Sequence, residues 1–455
     1  MNALLQDFRF AVRTFRKVPG FTAVIILTLA LGIGANTAIF TVVNAVLLTA
    51  VPYRDPGKLV YLRAMKGTQE WSTVSGPDFI DWKAQARSFK SMAVYNWQGE
   101  NLAGGTQPIY VSAPQVSQGF FETFELKPQL GRLFNAEDYA GRAPVAVLSD
   151  ALWSSQFGRD PNIIGRSITL AGSEATVVGV AEPGFDFPRA AQVWTPFNFD
   201  TRLSQLRDAH FLWAIARLNP GATLAQAQAE MEGIARRLEQ QYPDSNSNRG
   251  VAVLPFHEAS VRFIRPMLLM LSLAVGLVLL IVCANVGNLY MSRALARRQE
   301  IATRMALGAR VGRLTRQMLT ESVLLAVAGG VVGLMLAQWA VAALISLAPA
   351  GQFPRYARVT IDGRVLGFTL AVSFVAGILF GVAPAMGAAR ANLFDTLKLG
   401  GLRSGRSRGA SVYRNTLVVA QLALAVMLLA AGGLMLRSMQ QLLRVQPGFD
   451  PESVL

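Results

Sequence analysis

The stretch MLLMLSLAVGLVLLIVCANVGNLYM, residues 267–291, is predominantly apolar and contains no charged side chain. A helix that crosses the hydrocarbon core of a bilayer needs about 20 such residues, so this stretch is long enough to span a membrane. Four further apolar runs lack charged residues, and they cover residues 21–48, 322–347, 365–389 and 416–436. The sequence therefore predicts an α-helical membrane protein with about five transmembrane helices.

The composition of the whole chain agrees with this fold class. Of its 455 residues, 52% are hydrophobic and only 16% are charged, whereas a soluble domain usually carries about 25% charged residues. The single cysteine, Cys283, excludes an intramolecular disulfide. The two histidines, His210 and His257, argue against a histidine-based metal site.

Lysine and arginine are concentrated in short segments on one side of the predicted spans. Residues 1–20 carry four of them, residues 292–321 seven and residues 388–414 six, whereas the connector 348–364 carries three. The positive-inside rule places the basic segments in the cytoplasm. The N-terminus is then cytoplasmic, and residues 49–265 are extracytoplasmic. Because these residues hold 21 basic and 21 acidic side chains, the net charge of +15 reflects membrane topology and not a nucleic-acid partner.

The N-terminal segment 1–20 has the pattern of an amphipathic basic helix. Its apolar positions are Leu5, Phe8, Val12 and Phe15, and its basic positions are Arg9, Arg13 and Arg16. Such a helix is suited to an anionic membrane surface, so membrane lipids are expected partners. A solvated helix packed on a neighbour is the alternative.

Residues 49–265 are long enough to form a folded extracytoplasmic domain with its own core. Strand patterns at residues 144–148, 167–170, 175–180 and 250–254 are interspersed with helix patterns at 76–87 and 223–242. Thr223 and Gln226 have the spacing of a capping box. The sequence therefore predicts a large α+β domain between the first two spans.

Motifs for catalysis and nucleotide binding are missing from the sequence. Asp78 and Asp81 lie one helical turn apart, a spacing that solvated carboxylate pairs often have. The zinc motif His-Glu-x-x-His and, in residues 49–265, the Gly-x-Ser-x-Gly nucleophile elbow are absent. Gly57-Lys58 is followed by Leu59 and does not form a P-loop. We therefore predict no enzyme activity and no catalytic, cofactor-binding or metal-binding residues, so that a separate polypeptide would bind ATP.

Small residues in the spans predict close contacts between helices. Gly329 and Gly333 in the third span, and Gly377 and Gly381 in the fourth, have the Gly-x-x-x-Gly spacing. Polar span residues are expected to face other helices, and these are Asn285, Asn288 and Gln338. The absence of Asp, Lys and Arg from the middle of the spans argues against an ion-coupled pump.

Residues 297–309, RRQEIATRMALGA, are similar to a signature of the MacB/FtsX-type ABC permeases. Stretches of the extracytoplasmic domain resemble the MacB periplasmic core, and they are Gly131–Phe134, Val147–Ser149, Ile164–Arg166 and Val177–Val180. The opening, Asp7–Arg13 and Gly32–Phe40, resembles the duplicated orphan permeases of acidobacteria.

The resemblance implies a permease subunit in the bacterial inner membrane, driven by a separate cytoplasmic P-loop ATPase and acting as a homodimer or pseudo-dimer. Such permeases export molecules or transmit ATP-driven motion to their extracytoplasmic domain. It also implies that the basic segment is a coupling helix that contacts the ATPase through Arg297, Arg298, Glu300, Arg304, Ala306 and Gly308. Composition alone would favour a segment that anchors on lipid headgroups.

The chain departs from a single family unit, in which residues 266–390 would be the permease domain. Three further segments follow that domain: a basic linker (391–415), a fifth span (416–436) and the start of a second extracytoplasmic region (437–455). This arrangement predicts a truncated or split form of a longer duplicated permease. A membrane sensor or scaffold that regulates an envelope enzyme or a signalling partner is the alternative function.

Overall fold

The computed structural model describes most of the chain. The described residues are 2–70, 73–103, 108–140, 144–188, 190–296, 303, 311–347, 360–389 and 408–444. They form two compact units. We call Val46–Arg265 the large domain and the helices before and after it the helical unit.

Thirteen α-helices are present among the described residues. They are α1 (Asn2–Lys17), α2 (Pro19–Val43), α3 (Gly76–Gln85), α4 (Phe120–Phe124), α5 (Ala136–Tyr139), α6 (Asp150–Phe157), α7 (Leu224–Gln241), α8 (Pro243–Asn246), α9 (Phe256–Val261), α10 (Ile264–Ala296), α11 (Val311–Leu347), α12 (Gly363–Ala389) and α13 (Arg408–Arg444). A π-helical turn, Asn44–Leu48, continues α2.

Four helices of the described chain are long and apolar enough to cross a membrane. They contain the candidate spans Pro19–Leu48, Ile264–Arg293, Gly312–Ala343 and Gly363–Gly381. These spans correspond to the first four apolar runs of the sequence and confirm the predicted fold class. The fifth run lies in α13, where the described apolar stretch Val418–Leu434 is shorter. The fifth span therefore stays a prediction.

The helical unit is built around α2 and α11. Its core contains Ile25, Leu29, Ile33, Val286, Tyr290, Leu325, Ala326 and Phe380, which come from α2, α10, α11 and α12. The polar residues Asn285 and Gln338, which we expected to face other helices, are exposed in the described unit, and Asn288 is half-buried. That expectation is wrong for Asn285 and Gln338, because the described α10 and α11 do not turn these positions toward neighbours.

The large domain contains thirteen strands among its described residues. They are β1 (Leu59–Lys66), β2 (Gln69–Glu70), β3 (Phe89–Asn96), β4 (Gly99–Ala103), β5 (Ile109–Ser112), β6 (Gln115–Val116), β7 (Pro128–Gly131), β8 (Val145–Leu148), β9 (Ser167–Leu170), β10 (Ser173–Ala181), β11 (Val193–Pro196), β12 (Trp213–Leu218) and β13 (Arg249–Pro255). They form one sheet in the order β13-β1-β12-β3-β6-β11-β8-β10-β9-β4-β5, with β2 on β1 and β7 on β10. Pairs are antiparallel except β8–β10 and β6–β11.

The sequence of α7 accounts for both its buried face and its starting point. Its buried residues are Ala227, Met231, Ile234, Ala235 and Leu238, which recur at the spacing of one helix face. Its capping box is present, since the Thr223 hydroxyl accepts a hydrogen bond from the backbone of Gln226 at 3.2 Å. The side chain of Gln226 in turn accepts one from the backbone of Thr223 at 2.9 Å. The predicted α+β domain is confirmed.

Candidate functional site

The candidate residues of the predicted coupling segment lie between two described helices. Its six candidate residues, Arg297, Arg298, Glu300, Arg304, Ala306 and Gly308, lie outside the described residues. Helix α10 ends at Ala296 and α11 begins at Val311, so these two helix ends flank the segment. The side-chain contacts of α10 and α11 near the coupling segment are therefore those close to these two helix ends.

A buried carboxylate joins α10 to α11 near these ends. The Tyr290 hydroxyl donates a 3.0 Å hydrogen bond to Glu321, and Gln317 donates a second at 3.3 Å. Glu321 is only 5% exposed and lies inside the candidate span Gly312–Ala343. A carboxylate in such a position is costly unless it is hydrogen-bonded, which indicates a functional or organising role. The sequence reasoning missed Glu321 because it began the third span at Ser322.

Helix α1 is attached to α11 by an ion pair. The Arg316 Nε donates a 2.9 Å hydrogen bond to the carboxylate of Asp7. Asp7, Ala11 and Thr14 are buried and lie at the spacing of one helix face. The buried face of α1 is therefore small and polar, and Phe8 is left 48% exposed.

The four predicted packing glycines lie at contacts with neighbouring helices. A Cβ on Gly333 would lie 2.9 Å from the carbonyl oxygen of Ala30, and one on Gly329 would lie 2.7 Å from the Cβ of Leu29. On α12, a Cβ on Gly377 would lie 2.8 Å from the Cα of Val323, and one on Gly381 would overlap Ser322. The backbones of α2, α11 and α12 approach so closely because these positions carry no side chain.

The end of α2 that leads into the large domain is bound to the start of α12. Asn44 donates a 2.9 Å hydrogen bond to Asp362, and the rings of Phe40 and Phe368 stack with centroids 3.9 Å apart. The Asp362 carboxylate also accepts a hydrogen bond from the backbone N–H of Val365. This N–H and the amide of Asn44 hold the pKa of Asp362 below its ordinary value.

Two contacts hold the segments where the chain enters and leaves the large domain. His257 of α9 lies 3.0 Å from the carbonyl oxygen of Leu47 in the π-helical turn. Arg217 of β12 is 1% exposed and donates hydrogen bonds to the carbonyls of Thr123 at 2.6 Å and Arg54 at 2.8 Å. Burial lowers the pKa of Arg217. Sequence reasoning could not find these contacts, because the partners are far apart along the chain.

The carboxylate pair Asp78 and Asp81 has a structural partner. Arg207 lies between them and donates hydrogen bonds of 2.7 Å to Asp78 and 2.5 Å to Asp81. Its guanidinium carbon lies 3.6 Å from the centroid of the Tyr242 ring. Both carboxylates are thus bound by one guanidinium, which offsets one of their two negative charges. No group of three or more metal-ligating side chains is found among the described residues.

Comparison with known proteins assigns both units to described families. Residues 22–234 match the MacB-like periplasmic core domain, and residues 272–393 match the FtsX-like permease C-terminal domain. The macrolide export ATP-binding/permease protein MacB of Chromobacterium violaceum is 29% identical over 352 residues, which are 73% of this chain and 52% of that protein. The protein of the same name from Escherichia coli K12 is 28% identical and covers 64% of this chain and 43% of its own length. This chain thus spans about half the length of the curated relatives that it matches.

One of the solved structures that resemble part of this chain is a periplasmic region. The periplasmic region of MacB from Actinobacillus actinomycetemcomitans is 13% identical and covers 45% of this chain and 92% of that structure, with a TM-score of 0.34. The two family matches follow one another along the chain. The first covers residues 22–234, and the second begins at residue 272. The two family matches therefore identify the chain as a MacB/FtsX-type ABC permease, with a MacB-like periplasmic core domain over residues 22–234, which include most of the first span, and an FtsX-like permease domain over residues 272–393.

Proposed function

We propose that this chain is the membrane permease subunit of an ABC-type export or mechanotransmission system. In this role it couples ATP hydrolysis by a separate cytoplasmic ATPase to movement of its extracytoplasmic domain. The chain binds no nucleotide itself, and ATP is bound by the partner. The coupling segment that contacts the ATPase contains Arg297, Arg298, Glu300, Arg304, Ala306 and Gly308.

The names of the relatives support the proposal of an ATPase. They are called ATP-binding/permease proteins. Gly57-Lys58-Leu59 lacks the residues that cradle phosphates in a P-loop. In this proposal, an ATP-binding polypeptide docks on the permease and hydrolyses the ATP.

A series of contacts across the helical unit carries the mechanical part of the proposal. The Tyr290–Glu321 hydrogen bond joins the two helices that flank the coupling segment. From α11, the glycine contacts at Gly329 and Gly333 reach α2. Helix α2 then continues into the turn whose Leu47 carbonyl lies against His257. Displacement of α11 is thereby passed to the residues that open the large domain.

The proposed orientation places the N-terminus in the cytoplasm and the large domain outside the bacterial inner membrane. The support is the excess of arginine and lysine in residues 1–20, 292–321 and 388–414. Two permease units work together, as a homodimer or with a second unit. The mass of the purified complex measures this number directly.

The test is purification of the tagged chain from its native host, with mass spectrometry of the proteins that accompany it. We expect a P-loop ATPase with the wild-type chain. Arg304→Glu and Glu300→Lys should each reduce the recovered ATPase at least tenfold, because each reverses a charge in the coupling segment. Arg236→Glu is the matched control, since it makes the same change on the exposed surface of α7 in the large domain.

The outcomes separate the two candidate functions. Retention of the ATPase by both coupling-segment variants would remove the coupling role from these residues. A wild-type chain that brings down no ATPase, but instead an envelope enzyme or a signalling kinase, would favour the sensor or scaffold.

A further inference from the structure

The position of α1 is constrained by its connection to the first span. Helix α1 ends at Lys17 and α2 begins at Pro19, so only Val18 separates them. One residue spans less than about 4 Å, and the candidate span begins at Pro19. The C-terminal end of α1 therefore lies at the boundary between the membrane and water.

Helix α1 has three distinct faces at the 3.6-residue helical repeat. The first face contains the buried residues Asp7, Ala11 and Thr14, and Asp7 binds Arg316 of α11. The second face, turned about 100° from the first, contains Phe8, which is 48% exposed, and Phe15, which packs on the core of the helical unit. The third face contains the exposed basic residues Arg9, Arg13, Arg16 and Lys17.

The charges on α1 are unbalanced on its exposed side. Asp7 is the only acidic residue of the helix, and Arg316 neutralises it. The described structure shows no ion pair for the four cations of the third face. This face therefore presents four positive charges beside an exposed phenylalanine, on a helix whose C-terminal end lies at the membrane boundary.

We propose that the third face of α1 binds the phosphate groups of anionic phospholipids, and that the Asp7–Arg316 pair links this lipid-bound helix to α11. Phosphates of the lipid surface match the positive charge of the face, and the adjacent Phe8 reaches the acyl region. Because α11 begins just after the coupling segment, the charge of the membrane surface controls where this end of α11 is held. A change in lipid charge is thus transmitted to α11 through the ion pair of Asp7 with Arg316.

The site can be tested on the full chain in nanodiscs that contain equal amounts of phosphatidylcholine and phosphatidylglycerol. Native mass spectrometry then measures the ratio of the two lipids that stay bound after release. We expect the wild type to retain phosphatidylglycerol in preference. Arg9→Gln/Arg13→Gln should lower this preference roughly tenfold, since each basic residue near the surface contributes separately to the attraction. Arg202→Gln/Arg236→Gln is the matched control on exposed positions of the large domain and should leave the preference unchanged.

Two further measurements keep the proposal falsifiable if the glutamine variant folds poorly. Arg9→Lys/Arg13→Lys keeps the charge and should keep the preference for phosphatidylglycerol. For the wild type, raising the salt concentration to 0.5 M before release should weaken the preference for phosphatidylglycerol. The reason is that the screening length, about 10 Å at 0.1 M, shortens toward the roughly 3 Å of 1 M salt. An unchanged preference in the glutamine variant, loss of it in the lysine variant, or no effect of salt on the wild type would overturn the proposal.

Discussion

Gly34 of α2 and Gly333 of α11 meet backbone to backbone. A Cβ placed on Gly34 would lie 2.7 Å from the carbonyl oxygen of Gly333, and a Cβ placed on Gly333 would lie 3.0 Å from the backbone nitrogen of Gly34. The atoms that would be struck belong to the backbone, so a rotamer change cannot relieve the overlap. The contact between α2 and α11 therefore depends on glycine at both positions.

Gly34→Ala should force the two helices apart. Overpacking of a tight contact costs about 1–3 kcal/mol, and we expect a loss of thermal stability of this size in detergent. Gly367→Ala is the matched control, because a Cβ there meets nothing within 4 Å. It should leave stability unchanged or raise it by up to about 1 kcal/mol through helix propensity. Equal effects of the two substitutions would contradict the close contact.

The Tyr290–Glu321 hydrogen bond should appear as a coupling energy. Tyr290→Phe removes the donor and should cost about 0.5–1.5 kcal/mol of the free energy of unfolding. Glu321→Leu removes the acceptor and should cost at least as much. Because the two side chains share one bond, the double variant should cost less than the sum by about 0.5 kcal/mol or more. The measurement is a double-mutant cycle of thermal unfolding in detergent, and strictly additive losses would refute the coupling.

Arg207→Met should destabilise the large domain. The substitution leaves Asp78, whose side chain is 6% exposed, and Asp81 without their cation. Removing one partner of a buried pair leaves an uncompensated charge, and for this partly buried site we expect a loss of roughly 2–3 kcal/mol. Arg202→Met, at an exposed position on the same loop, should change stability by less than about 0.5 kcal/mol. Thermal unfolding followed by tryptophan fluorescence measures both.

The Arg132–Asp138 ion pair should make the large domain sensitive to acid. Burial alone would raise the pKa of Asp138, but the hydrogen bonds from Arg132 and from the backbone of Asn135 lower it below the ordinary value of 3.8. The folded state therefore binds this proton less readily than the unfolded state. The stabilisation is fully present above about pH 4 and is lost as the pH falls through the lower pKa of the folded state.

The Asp138→Asn variant tests this pH dependence. It should be less stable than the wild type at neutral pH, and the difference should shrink as the pH falls below about 4, because the unfolded wild-type chain takes up the proton first and the folded carboxylate takes it up at lower pH. Unfolding midpoints between pH 6 and pH 2.5 give the comparison. Asp244→Asn, at an exposed position in α8, serves as the control and should follow the wild type. A constant difference between Asp138→Asn and wild type across this range would show that the pair is not responsible.

Some elements of the large domain could be predicted because their signals are local. The hairpin of β9 and β10 was predicted at residues 167–170 and 175–180, and the structure pairs Leu170 with Ser173 across its turn. The Thr223 capping box and the start of α7 were predicted from residues three positions apart. The order of the strands was not predicted, since β13 pairs with β1 across almost the whole domain and the sequence between them carries no sign of that pairing.

Three properties could be predicted without the fold: which segments are apolar enough to span a membrane, where the large α+β domain is inserted, and that the given sequence contains no P-loop. These properties depend on the composition and spacing of neighbouring residues, and burial in lipid or in a core acts on them directly. Three contacts became visible only in the folded chain: Glu321 accepts a hydrogen bond from Tyr290, Arg207 binds both Asp78 and Asp81, and α1 buries Asp7 instead of Phe8. Each of these contacts joins residues that folding brings together from different elements, and the energy of burying a charge depends on which partner arrives there.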